Sequence, residues 1–185
     1  MTAAHQDEQC FTYADYYSWD DDKRWELIDG VPYEMSAPGR IHQKFSGNLF
    51  AVLHNFLRGK TCEVYSAPFD VRLYGRGDRD TTVVQPDITV VCDNKKLDDK
   101  GCNGAPDMVV EILSESSTRH DTLIKFRAYQ RAGVREYWVI NPQTQTITVY
   151  LLESDKYVAY MYSNEDKVPV NVLDGCIVDA SEVFY

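Results

Sequence analysis

A carboxylate in the middle of an apolar strand constrains this chain more than any other feature. Glu111 lies inside the run MVVEIL at residues 108–113, which otherwise has the composition of a short buried strand. Taking an ionised carboxylate out of water costs several kcal/mol unless a partner compensates its charge. The fold must therefore supply backbone amides, an arginine or another cation at Glu111.

A second acid has a similar setting. Asp87 stands beside Ile88 in the segment VVQPDITVV, and one loop separates this segment from the Glu111 strand. If the two strands are neighbours, the carboxylates converge, and they repel unless a proton or a cation lies between them. A hard divalent ion such as Mg²⁺ or Mn²⁺ is the usual solution. The alternative is a turn, where an aspartate after proline is common.

The segment after Glu111 predicts a helix from about Thr118 to Gly133 that carries Lys125. If this helix packs across the strand, Lys125 directs its ammonium towards whatever the metal holds. Lys125 also lies four residues after Asp121, so a surface ion pair is the alternative. Two carboxylates, a metal and a lysine form a site suited to hydrolysis of a phosphodiester.

The segments ELIDG, QPDITVV, APDMVVEILSESST and HDTLIKFRAYQRAGVREYWVIN resemble the Uma family of restriction-endonuclease-like proteins, a branch of the PD-(D/E)XK nucleases. The resemblance implies an α/β fold, with a four- or five-stranded mixed core sheet flanked by helices, and Mg²⁺- or Mn²⁺-dependent cleavage of DNA. It implies Asp87, Glu111, Lys125 and Glu26 as catalytic residues. It also implies that Asp87, Glu111 and the backbone carbonyl of Ile112 hold the metal.

The sequence departs from the superfamily pattern at one position. The superfamily lysine normally follows the second acid by two residues, where this chain has Leu113, so Lys125 has to replace it from the helix. Asp107 also follows a proline, but a four-residue step along one strand separates it from Glu111 by about 13 Å, which favours Asp87. His42 either faces the site or is a partly exposed helix residue. Glu26 is either a ligand or a hairpin charge.

The rest of the chain predicts how these residues are held. Asp29-Gly30 predicts a hairpin, and Ser36 is the expected N-cap of a long helix that ends near Gly59. Alternating segments after residue 145 predict antiparallel strands at the sheet edge. We expect a flexible segment over residues 1–12 and a single restriction-endonuclease-like domain over residues 13–185.

Composition limits the classes of function. The net charge is −10 over 185 residues, which argues against coating nucleic acid by charge alone, although basic residues concentrate at 119–135. No apolar run approaches the roughly 20 residues that span a bilayer. The five cysteines form no Cys-x-x-Cys motif and are expected to be reduced, in the cytoplasm.

DNA is the expected substrate and a homodimer the expected assembly. A non-catalytic binding module and a structural dimer scaffold are the alternatives.

Overall fold

The structure is a computed structural model that describes residues 10–20, 22–114 and 120–185. Its helices are α1 (Tyr13–Tyr17), α2 (Arg40–Leu57), α3 (Phe126–Ala132) and α4 (Ala180–Phe184). A π-helical segment, His120–Lys125, runs directly into α3. The predicted helix start at Thr118 and the side chain of Asp121 lie outside the described residues.

The described strands form two large sheets and one small one. The central sheet has the order β12 (Lys156–Tyr162), β11 (Thr146–Glu153), β10 (Glu136–Asn141), β9 (Met108–Ile112), β6 (Ile88–Val91), β3 (Glu63–Ser66). The second sheet has the order β2 (Val31–Met35), β1 (Arg24–Ile28), β5 (Val83–Val84), β4 (Val71–Arg72), β8 (Gly101–Asn103), β7 (Leu97–Asp98). The small sheet pairs β13 (Lys167–Pro169) with β14 (Ile177–Asp179).

The predicted hairpin is confirmed. Asp29 and Gly30 both adopt positive φ angles, 52° and 79°, as a two-residue type I′ turn requires. The turn joins β1 to β2 in the register Ile28↔Val31. It therefore fixes the direction in which alternate side chains of β1 point, Glu26 among them.

The predicted start of the long helix is wrong. Its N-cap is Gly39, which makes no side-chain cap, and not Ser36. Residues 36–39 instead form an extended connection from β2 into α2. Leu49 and Leu53 on one face of α2 are fully buried, whereas Ile41 at its start is exposed. The first turn of α2 thus lies at the rim of the core, where it can contribute to a site.

The central sheet is covered on both faces. Val110 and Ile112 of β9 contact a cluster that includes Leu49 of α2 and the C-terminal segment. Val109, one residue away, packs in the opposite cluster with Tyr129 of α3 and the second sheet. Because side chains alternate along a strand, Glu111 shares the face of Val109 and points towards α3.

The mixed sheet and its antiparallel C-terminal edge strands are confirmed, since β9 and β10 are parallel while β10, β11 and β12 are antiparallel. The central sheet has six strands in the described residues, more than the four or five expected. The segment VPVNV does not extend that sheet, because Val168 pairs with Val178 in the small sheet. The division into a flexible segment 1–12 and a domain 13–185 stays a prediction.

The cysteine prediction is wrong for one pair. Cys62 and Cys92 form a disulfide, with their Cα atoms 3.9 Å apart. The cause is the antiparallel register of β3 and β6, Glu63↔Val91, which continues by one step to bring the two cysteines opposite each other. Cys10, Cys102 and Cys176 are free thiols. Among the described residues no helix is both long and apolar enough to cross a membrane.

Candidate functional site

Glu111 is held by a cation and a phenol. The Nζ atom of Lys125 lies 2.9 Å from Glu111 Oε1, and the hydroxyl of Tyr129 donates to the same oxygen at 2.5 Å. Lys125 ends the π-helical segment and Tyr129 follows four residues later in α3, so both side chains lie on one helix face. Glu111 is 4% exposed and Lys125 is 2% exposed. The charge of Glu111 is therefore compensated within the protein, by Lys125.

Glu26 completes this buried cluster from the second sheet. Its Oε1 atom lies 2.9 Å from Lys125 Nζ and accepts a hydrogen bond from the backbone N–H of Gln85 at 2.7 Å. The ammonium of Lys125 thus lies between two carboxylates, one from each sheet. Replacing or removing a single member of such a buried ion cluster leaves an uncompensated charge, which is strongly destabilising.

Asp87, which directly precedes β6, is the second predicted acid of the site. The register Ile88↔Val110, continued by one residue, sets Asp87 opposite Glu111 on the same sheet face. Asp87 Oδ2 accepts a hydrogen bond from the backbone N–H of Ile112 at 2.8 Å and lies 3.0 Å from Nε2 of His42. The sequence prediction that the two acids converge agrees with this geometry.

His42, for which the sequence left two interpretations open, faces the site. Its side chain is mostly buried, and its Nδ1 atom is buried without a hydrogen-bond partner among the described residues. The connection before α2 places this first helical turn beside Asp87, which directly precedes β6. His42 is therefore in a position to orient Asp87.

The cluster opens into a cavity of about 560 Å³. Its lining includes the charged side chains of Glu26, Asp87, Glu111 and Lys125, together with Phe50 and the connection from β2 to α2. The cavity thus combines carboxylates, a cation and an apolar wall, as ligand sites commonly do.

Tyr129 is a fixed donor in this site. Burial raises the pKa of its phenol well above the usual range, and the negative charge of Glu111 raises that pKa further. The hydroxyl accordingly stays protonated and directs its proton to Glu111. The sequence analysis missed Tyr129, although its position four residues after Lys125 was a usable signal.

Residues that the sequence analysis set aside lie elsewhere. Asp107 accepts hydrogen bonds from the backbone N–H of Cys92 and from Arg135, and it does not line the cavity. Leu113, which takes the place of the superfamily lysine, packs against the second apolar cluster. Arg131 pairs with Asp29 on the surface. In the part of the basic run that the structure describes, Lys125, Arg131 and Arg135 each pair with a carboxylate.

The structure as a whole has a solved counterpart. It matches the crystal structure of a protein of Anabaena variabilis ATCC 29413, titled "a putative nuclease belonging to DUF820", with a TM-score of 0.74 at 18% sequence identity. The match covers 94% of this chain and 97% of that chain. The fold is thus the restriction-endonuclease-like α/β fold that the sequence predicted.

Sequence comparison gives the family. The profile of the Uma2 family, described as "Putative restriction endonuclease", matches residues 13–180. This chain belongs to the Uma2 family, and its class of function is nuclease-like. An "Uncharacterized protein slr1290" of Synechocystis sp. is 26% identical over 144 residues, which cover 76% of this chain and 74% of that protein.

Proposed function

We propose that this protein is a metal-dependent endonuclease that hydrolyses phosphodiester bonds of DNA at the cavity formed by Glu26, Asp87, Glu111 and Lys125. One observation carries the proposal: two carboxylates from adjacent strands face each other at a cavity, with a lysine ammonium 2.9 Å from one of them. Membership of the Uma2 family supports the same class of reaction.

The donor set fits Mg²⁺ or Mn²⁺. Among the described residues no group of three or more His, Cys, Asp or Glu side chains is arranged to hold a metal. Mg²⁺ is, however, usually bound by one or two carboxylates together with water and substrate phosphate, and all its ligands are oxygen atoms. Asp87, Glu111 and the carbonyl of Ile112 would hold the ion. When bound, it would polarise the phosphate and lower the pKa of a coordinated water.

The protein side chains have separate roles in this proposal. Lys125 directs its ammonium to the phosphate, where negative charge increases in the transition state. Glu26 and Tyr129 hold Lys125 and Glu111 in position. His42 orients Asp87 through the contact of its Nε2 atom with Oδ2, in the way that groups behind a metal ligand commonly do.

The proposal includes an assembly and a location. Cleavage of both strands of a duplex is simplest with two sites, and strand β12 at the sheet edge exposes Tyr160 and Met161, so we propose a homodimer through that edge. We propose a cytoplasmic location.

A binding module without catalysis is the alternative, and the apolar environment of Leu113 favours it.

The deciding experiment is a nicking assay on plasmid DNA and single-stranded circular DNA with Mg²⁺, Mn²⁺ or EDTA. We expect cleavage that requires the metal and is lost in Asp87→Asn. The matched control is Asp107→Asn, which removes the same charge outside the cavity and should retain activity. Absence of cleavage on both DNAs would leave the binding module.

A further inference from the structure

A second cavity adjoins the site. It has a volume of about 500 Å³ and shares two lining residues with the first cavity, Arg24 and Gln85. Arg24 and Trp25 of β1 and Trp19 in the loop before it form much of its wall. Because Glu26 follows two residues after Arg24, the boundary between the cavities lies close to the buried ion cluster.

The guanidinium of Arg24 is held by a neutral amide. Its Nη2 and Nε atoms both donate to the amide oxygen of Gln85, at 2.6 and 3.2 Å, and no carboxylate in the described part of the chain pairs with it. Gln85 is itself fixed, because its Nε2 atom donates to Tyr16 and Asp70. A half-buried guanidinium held by a neutral amide is suited to receive a phosphate group.

The second cavity is lined by aromatic rings, by cations close to two of them, and by the carboxylates of Asp70, Asp98 and Asp99. The rings of Trp19 and Trp25 lie 5.7 Å apart, edge to face. The ammonium of Lys23 lies 5.4 Å from the Trp25 ring, and that of Lys100 lies 4.7 Å from the ring of the exposed Tyr17. Rings beside cations form the usual platform for unpaired nucleobases, which stack on any exposed π-face.

The depth of the first cavity limits which nucleic acid can enter. Glu26, Glu111 and Lys125 are each 4% exposed or less. A duplex is stiff and keeps its bases stacked inside, so it cannot place a base in the second cavity while its backbone enters the first. A single strand is flexible and presents its bases.

We propose that the substrate is single-stranded nucleic acid that crosses the Arg24–Gln85 boundary, with a phosphate on Arg24, the scissile bond in the first cavity and a neighbouring base stacked in the aromatic cavity. This inference rests on the proposed nuclease function and names its substrate class. One site then suffices for one cut, so the single-strand reaction does not require the homodimer.

Binding in EDTA tests this inference without cleavage. The probes are a short fluorescein-labelled oligothymidylate and its duplex with oligoadenylate, and the readout is fluorescence anisotropy over a series of salt concentrations. We expect the single strand to bind at least about tenfold more tightly than the duplex, as stacking of one base provides. Arg24→Gln should lower the slope of log affinity against log salt by about 0.7, the loss of one phosphate contact.

Variants of the aromatic cavity separate stacking from folding. Trp19→Ala should weaken single-strand binding by about 5- to 100-fold, whereas Trp19→Phe, which keeps a ring, should restore most of it. Tyr185→Ala is the control, since Tyr185 is exposed and lines neither cavity; it should bind like the wild type. If Trp19→Ala does not fold, the change in salt slope with Arg24→Gln still tests the path.

The outcomes distinguish this inference from the proposed function. Equal or tighter binding of the duplex, no detectable binding of the single strand, or an unchanged salt slope in Arg24→Gln would overturn the single-strand inference. Single-strand binding with the expected variant effects, but no cleavage with either metal, would uphold this binding path and refute the nuclease proposal.

Discussion

Two buried glutamates on neighbouring strands show how differently the same residue type can be accommodated. Glu111 of β9 and Glu136 of β10 are both almost fully buried in apolar sequence. The parallel register pairs Glu136 with Met108 and Val139 with Glu111, so the two carboxylates point to opposite faces of the central sheet. Glu111 faces the cavity, whereas Glu136 faces the apolar cluster formed with α2 and the C-terminal segment.

Their partners differ accordingly. Glu136 accepts hydrogen bonds from the indole N–H of Trp138 at 2.7 Å and the backbone N–H of Val172 at 2.8 Å. Burial raises the pKa of Glu136, and these neutral donors oppose the rise only in part. Glu111 instead has a lysine ammonium. A buried carboxylate is therefore not by itself a sign of function; the cation and the open cavity distinguish Glu111.

The largest expected effect compares the two glutamates directly. Glu111→Gln should lower metal-dependent cleavage by on the order of 10²–10³-fold, because an electrostatic group at the reacting centre is lost. Glu136→Gln, with the same chemical change, should cleave within about twofold of wild type, since it contacts no part of the cavity. Initial nicking rates on DNA measure both variants. Equal losses of cleavage in the two variants would show that removing any buried carboxylate lowers the rate, and that the position of Glu111 in the cavity is not the cause.

A large effect on stability is expected at Lys125. Lys125→Met leaves Glu26 and Glu111 without their shared cation, and breaking a buried ion cluster in this way costs about 3–5 kcal/mol of unfolding free energy. Lys100→Met removes an exposed ion pair with Asp78 and a cation–π contact with the exposed Tyr17, each worth at most about 1 kcal/mol. Urea unfolding measures both variants. Similar losses would contradict a structural role for the buried ammonium.

A smaller effect is expected from His42, the group behind Asp87. His42→Asn should lower the cleavage rate by about 10–100-fold and raise the Mn²⁺ concentration needed for half-maximal rate, because Asp87 loses its contact with the imidazole. The exposed His54 lies on the same helix, and His54→Asn serves as the control. A slower rate at an unchanged metal requirement would argue against orientation of Asp87 by His42.

The smallest expected effect is a pH dependence of stability. Because the pKa of Glu136 is raised in the folded state, the folded protein holds this proton more tightly than the unfolded chain does. The stabilisation that this bound proton provides is complete below the ordinary pKa of 4.5 and is lost as the pH rises through the raised pKa of the folded state. Melting temperatures between about pH 4.5 and pH 8 should therefore fall less in Glu136→Gln than in wild type. If the melting temperatures of wild type and Glu136→Gln fell equally with pH, the pH dependence would not come from Glu136.

The contrast between the two glutamates also marks what could be predicted from sequence. Short sequence patterns predict three features: an acid in an apolar strand, a second acid on the adjacent strand and a turn at Asp29-Gly30. Each depends on spacings of two to a few residues, and the structure has each feature at the predicted position. The alternation of side chains along β9 or along β10 tells which residues of one strand share a sheet face. It does not tell how the faces of the two strands correspond. The pairing of Glu136 with Met108, which puts the two acids on opposite sides, depends on a strand register between segments far apart in the chain.

Other features of the site depend on contacts of the same long range. Gln85 binds Arg24 and Glu26 across the second sheet, at sequence separations of 61 and 59 residues. The Cys62–Cys92 bond follows from the β3–β6 register, and the separation of 30 residues gives no indication of it. The sequence directs Lys125 to the site only if the helix packs across the strand, because a spacing of fourteen residues along a strand, loop and helix does not by itself fix the direction of the side chain.

The most direct test of the site is a calorimetric titration of Mn²⁺ into wild type, Glu111→Gln and Glu136→Gln at matched pH and salt, each with and without a non-cleavable phosphorothioate oligonucleotide. We predict binding to wild type and Glu136→Gln, strengthened by the oligonucleotide, and loss of binding in Glu111→Gln. Binding that persists unchanged in Glu111→Gln, or is absent from wild type under both conditions, would contradict the assignment of Glu111 as a metal ligand.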